Sequence, residues 1–88
     1  MVVSVVQENI LIYKDIKITK AKSGNIYKII FHFEDEEGHK YIWESGRKSF
    51  YERYILTKEI KKGFKFNARY SEYITKGDTT YIQRVKVK

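Results

Sequence analysis

The sequence predicts a small, mostly β domain: five strands curled into a closed barrel, with one short helix between the third and fourth strands. Three observations carry this expectation. Apolar and polar side chains alternate over most of the chain, glycines in polar clusters separate the alternating runs, and one stretch abandons alternation for spacings of three and four. Eighty-eight residues amount to one domain, 1–88, with too little chain for a second core or a multi-domain enzyme. An apolar fraction of 42% with 16% aromatics is enough to pack that core, so disorder is not expected. There is no cysteine, which removes disulfides and thiolate zinc sites and makes the cytoplasm the expected compartment.

Along the chain, the apolar run from Met1 to Val6 is too short for a signal peptide or a membrane span. Residues 1–9 are expected to be an extra strand or a docking segment. Ile10, Ile12, Ile16 and Ile18 then share one parity, with Lys14 at the same parity, which predicts a first strand over 10–22 that bends near Lys14-Asp15. Ser23-Gly24-Asn25 turns the chain. Tyr27, Ile29, Phe31 and Phe33 alternate with Lys28, Ile30, His32 and Glu34, giving a second strand with one strongly apolar face. After the acidic turn Glu36-Glu37-Gly38-His39, residues 40–45 are aromatic and β-branched and should pair with it as a third strand.

From 47 to 60 the spacing of Phe50, Tyr54, Thr57 and Ile60 predicts a short amphipathic helix, ending before Lys61-Lys62-Gly63. A fourth strand opens at Phe64, with Phe66, Ala68 and Tyr70 on its side and Lys65, Asn67 and Arg69 opposite. A turn is expected over 73–79. The last strand, 80–88, sets Tyr81, Val85 and Val87 on one parity and Ile82, Arg84, Lys86 and Lys88 on the other. Strand, strand, strand, helix, strand, strand is the order of the OB-fold, a five-stranded Greek-key barrel. An SH3-like barrel and an open α+β sheet are the competing layouts.

The pattern Phe31-His32-Phe33, Asp35-Glu36-Glu37-Gly38, Tyr41-Ile42-Trp43, Lys62-Gly63-Phe64, Tyr70, Tyr73 and Arg84-Val85-Lys86-Val87 resembles small OB-fold domains of phage and mobile-element replication proteins. It spans about two thirds of the chain, and many unrelated barrels share such turns. The polar helix region, Arg47-Lys48-Ser49 and Glu52-Arg53, and the apolar N-terminus depart from it. The resemblance implies binding of single-stranded DNA or RNA.

Charge points the same way. Eighteen Lys and Arg against 11 Asp and Glu leave a formal charge of +7, which suits a polyanion because each cation near a phosphate displaces a condensed counterion. An OB barrel holds a single strand across the outer face of its second and third strands, between the loop joining strands one and two and the loop joining strands four and five. Mapped onto that surface, Lys20, Lys22 and Asn25 come from the first loop, Lys28 and His32 from the second strand, and Tyr70, Tyr73 and Lys76 from the last loop. Arg69 and Arg84 come from flanking strands. Tyr41, Trp43, Tyr73 and Tyr81 are the candidates for stacking on bases, each with a competing place in the core.

No catalytic residue, metal or cofactor is expected. His32 and His39 lack thiolate partners, the acids between them belong to a turn, and the sequence contains neither a nucleophile triad nor a phosphate-binding glycine loop. The acid run Glu34–Glu37 is expected to repel strands that stray across its end of the groove. The rival expectation is a protein-binding module that docks a replication or recombination protein, or inhibits a foreign enzyme, with Val2, Val3, Val5 and Val6 adding a strand to a partner's sheet. No membrane partner is expected.

Overall fold

In a computed structural model of the chain, residues 5–44 and 47–88 are described. Strands β1 (Val5–Lys20), β2 (Ile26–Asp35), β3 (Lys40–Trp43), β4 (Lys65–Lys76) and β5 (Thr79–Val87) close into a barrel in the order β1-β2-β3-β5-β4. Neighbours run antiparallel except β3 and β5, which are parallel. Between β3 and β4 lies helix α1, which opens as Lys48–Phe50 and widens into a π-helical turn, Tyr51–Ile55, where the Leu56 N–H donates to the Tyr51 carbonyl at 3.0 Å. Closure, strand order and the position of the helix are those of an OB-like barrel and rule out the open sheet.

The strands differ from the sequence-based expectation mainly where one residue is inserted into a ladder. Tyr13 pairs with Phe33 and Asp15 with His32, so Lys14 is an extra residue in β1 and the strand bends there, at the predicted place. The insertion also flips the side-chain parity. Leu11 and Tyr13 face the core before it and Ile16 and Ile18 pair with core-facing Phe31 and Ile29 after it, while Ile10 remains exposed. The expected single face of four isoleucines is therefore two faces. This bend lets β1 pair with β4 through Val5 to Ile12 and with β2 through Leu11 to Lys20, which closes the barrel.

A second insertion corrects the parity expected for β5. Arg69 pairs with Lys86 and Ser71 with Gln83, leaving an additional residue on β5, where Arg84 takes a left-handed backbone (φ 57°). As a result Ile82 and Val85 both point inward and Tyr81 points out. The turn expected over 73–79 is shorter: β4 runs on to Lys76, and Gly77-Asp78 alone makes the hairpin. Gly77 (φ 61°) holds the first central position, where a two-residue loop requires positive φ. The helix expected to reach residue 60 stops at Ile55, because Lys58 turns left-handed (φ 63°) and the Ile60 N–H folds back onto the Tyr54 carbonyl. Ile60 still joins the core.

The core is aromatic. Phe31 stacks on Trp43 (5.1 Å) and Phe33 (5.8 Å), and the Phe50 ring of α1 meets both Phe31 and Trp43 edge-on at 5.2 Å. Phe50 thus plugs the barrel end that α1 covers, at separations where aromatic pairs add to area burial. Residues 5–9, expected to be an extra strand or a docking segment, are the start of β1 and pair with β4. Val2 and Val3 of that segment, Ser45 at the expected end of the third strand and Gly46 lie outside the described residues. Among the described residues no helix is long and apolar enough to cross a membrane.

Candidate nucleic-acid interface

Pairing across the closed sheet sets the outer face. One row runs Asp15, His32, Ile42, Tyr81, Ile74 through β1, β2, β3, β5 and β4, each residue the direct register partner of the next. Since Phe31, Phe33, Tyr41, Trp43 and Ile82 point inward, the residues between them on β2, β3 and β5 point out. His32, Ile42 and Tyr81 therefore form a half-buried strip at the centre of this face.

Aromatic and cationic groups gather at one end of the strip. The Tyr73 and Tyr81 rings lie 6.4 Å apart, and Lys76 Nζ sits 5.6 Å from the Tyr81 ring centroid. Tyr73 is the extra residue of a bulge in β4, opposite the step from Ile82 to Tyr81, which turns its ring outward at 36% exposure. Burial, then the Glu44 carboxylate and Tyr81, push the Tyr73 hydroxyl pKa up, so this ring stays neutral through the physiological range. The row ends on β1 at Asp15; Lys28 shares the outward parity of His32 further along β2, and Lys20, Lys22 and Asn25 are exposed at the β1–β2 loop beyond it. Among the described residues none of Lys17, Lys20, Lys22, Lys28, Lys40 and Lys76 is in an ion pair; Lys14, Lys48, Lys62, Lys65 and Lys88 are.

The predicted set divides three ways. Lys20, Lys22, Asn25, Lys28, His32, Tyr73 and Lys76 share the outer face. Tyr41, Trp43 and Tyr70 do not: they are 6%, 1% and 2% exposed, inward-facing members of the core, and offer no ring for a base to stack on. The reason is parity, since Trp43 pairs with Phe31 and Tyr41 with Phe33 on the inner side of β2. Tyr70 belongs to β4, not to a loop. Arg69 and Arg84 lie elsewhere, in a cleft beside α1 that Arg47, Arg53 and Lys86 also line. Tyr81, one of the stacking candidates, is on the outer face, and so is Ile42, which was not among the candidates and had only its alternation between Tyr41 and Trp43 to reveal it.

The acidic turn is built for structure. Asp35 Oδ1 accepts hydrogen bonds from the Glu37 and His39 N–H groups, both 2.9 Å, and Asp35 Oδ2 accepts from the Tyr41 hydroxyl at 3.1 Å. Burial alone would raise the Asp35 pKa, but these three donors outweigh it and hold the carboxyl below its usual range. His39 Nε2 shares a hydrogen bond with Thr80 Oγ1 at 2.7 Å, tying the turn to β5. Glu36 is paired with Lys65 (3.3 Å) and Glu34 with Lys14 (3.5 Å), so much of the run's charge is locally compensated. Among the described residues no three His, Asp or Glu side chains are grouped to hold a metal ion. No protein-family model, curated protein or solved structure matches the chain.

Proposed function

We propose that this barrel binds single-stranded DNA or RNA, without catalysis, on the outer face of β2, β3 and β5. The observation that carries the reading is the outward Tyr73–Tyr81 pair with Lys76 beside it, on the same barrel exterior as the exposed Lys28 of β2 and Lys20 and Lys22 of the β1–β2 loop. A base stacked on an exposed ring gains ~1–3 kcal/mol whatever its identity, while lysines along the strip follow the phosphates, so binding is tight enough to matter and tolerant of sequence. The resemblance to OB-fold domains of phage and mobile-element replication proteins supports the same reading, as does the net charge.

The test is an anisotropy titration of a labelled oligothymidylate. Tyr81→Leu keeps an apolar side chain beside its register partner Ile42 and removes the ring's polar edge and π face; affinity should fall by roughly 5- to 100-fold. Lys28→Gln should reduce the slope of log affinity against log salt by ~0.7. Equal or tighter binding of duplex at roughly 0.1 M salt, where phosphate contacts are still strong, would overturn the proposal. If no oligonucleotide binds, the protein-docking reading takes its place, resting on exposed apolar residues such as Val6 on β1.

A further inference from the structure

The chain has four arginines, Arg47, Arg53, Arg69 and Arg84, far apart in sequence, and all four line one cleft of about 650 Å³ between α1 and the end of β5. Lys86 supplies a fifth cation, and no Asp or Glu is among the lining residues. The remaining lysines lie elsewhere. Among the described residues every ion pair uses a lysine and none uses an arginine, although arginine is the better partner for a carboxylate. Two acids on elements that line the cleft already have lysine partners: Glu8, the register partner of Arg69 and close enough to feel its charge, bonds Lys88, and Glu52 pairs with Lys48.

Two further observations show that the cleft is shaped for its charge. Arg84 is held at φ 57°, a conformation unfavourable for any residue with a Cβ, by the inserted residue in β5, and such bulges re-aim side chains. Arg53 is set over the Tyr54 ring at 5.4 Å, which orients its guanidinium. Five like charges on the residues lining one concavity repel each other, and the arrangement becomes favourable when an anion enters. Guanidinium groups match phosphate oxygens two at a time, and several negative charges are needed to balance five cations.

We propose that this cleft is a binding site for a phosphate-dense anion, a phosphomonoester or oligophosphate group. Its volume lies in the range of small-ligand sites, about 300–1,000 Å³. Two sources carry this chemistry: the phosphorylated end of a nucleic-acid strand and a free nucleotide polyphosphate. The first is within reach, because Tyr81 on the outer face is three residues from Arg84 on the same strand, roughly 10 Å along it.

The experiment titrates the full chain calorimetrically with inorganic tripolyphosphate, against sodium sulfate at matched ionic strength. Saturable binding of one tripolyphosphate is expected, weakened at least tenfold in Arg53→Gln/Arg84→Gln. Lys58→Gln/Lys61→Gln removes the same charge outside the cleft and should change affinity less than about twofold. Thermal melts check that both variants fold. No saturable binding, or equal losses in the two double variants, would overturn the site. Oligothymidylates with a 5′-hydroxyl or a 5′-phosphate then separate the sources: a preference for the phosphorylated end that is lost in the arginine variant identifies the strand terminus. Competition by a free nucleoside triphosphate, without that preference, identifies the nucleotide. The tripolyphosphate arm uses no nucleic acid, so it stands even if the outer face binds no strand.

Discussion

Replacing Arg84 by glycine should make the barrel more heat-stable while weakening the arginine cleft. The left-handed backbone at φ 57° costs a residue with a Cβ about 1–2 kcal/mol, and glycine is free of that cost. Glycine's greater freedom in the unfolded chain returns about 0.4–1 kcal/mol of that gain. The net stabilisation is about 0.5–1 kcal/mol, which in a domain of this size raises Tm by roughly 2–6 °C. Removing one of the five cationic residues that line the cleft adds a smaller gain that salt screens.

Circular-dichroism melts of wild type, Arg84→Gly and Arg84→Ala, at low salt and again near ~0.5 M where the charge contribution is largely screened, separate the two effects. Alanine loses the charge but keeps the backbone cost, so at high salt only the glycine variant should melt above wild type. Equal melting of the alanine and glycine variants there, or a lower Tm for glycine, would refute the reasoning from backbone strain. A more stable protein that binds tripolyphosphate less well is the signature of strain retained at a binding site.

Asp35 predicts an acid sensitivity. Its folded pKa lies below the unfolded value, so its contribution is complete above about pH 5 and fades as pH falls through the folded pKa. Asp35→Asn should cost about 1–2 kcal/mol at neutral pH and flatten the fall of Tm between about pH 5 and 3, measured by melts across that range. Trp43, at 1% exposure, should emit as a buried indole and keep its spectrum when oligothymidylate is added; quenching on addition would mean that the ring is reachable. Phe31→Ala, which empties a fully buried site against Trp43, Phe33 and Phe50, should lower stability by about 3–5 kcal/mol in urea titrations with unchanged m.

The existence and order of the elements were legible because each rests on neighbouring residues. Ile29 to Phe33 alternate because one face of β2 is buried, whereas Tyr27, expected on that face, is left over at a register shift and is exposed; Phe50 and Tyr54 fall four apart because they share a helix face that packs on the core. Even the bend at Lys14 left a mark, a cation on the parity otherwise held by four isoleucines. The stacking role considered for Trp43 and Tyr41 illustrates the limit. Aromatic residues on β3 are equally consistent with a wet face and a dry one until the partner strand is known, and pairing with Phe31 and Phe33 turns them inward.

Local pattern was therefore sufficient for the strands, the helix, the barrel's element order and the cationic balance, since alternation, turn glycines and charge are properties of short windows. The direction each side chain takes and the company it keeps came from closure of the sheet. Single inserted residues at Lys14 and Arg84 reverse every side chain beyond them yet change no composition, because any residue can be the extra one in a ladder. The arginine cleft arises in the same way: residues 47, 53, 69 and 84 share no spacing, and they meet because α1 packs beside the end of β5 and β4 pairs with it.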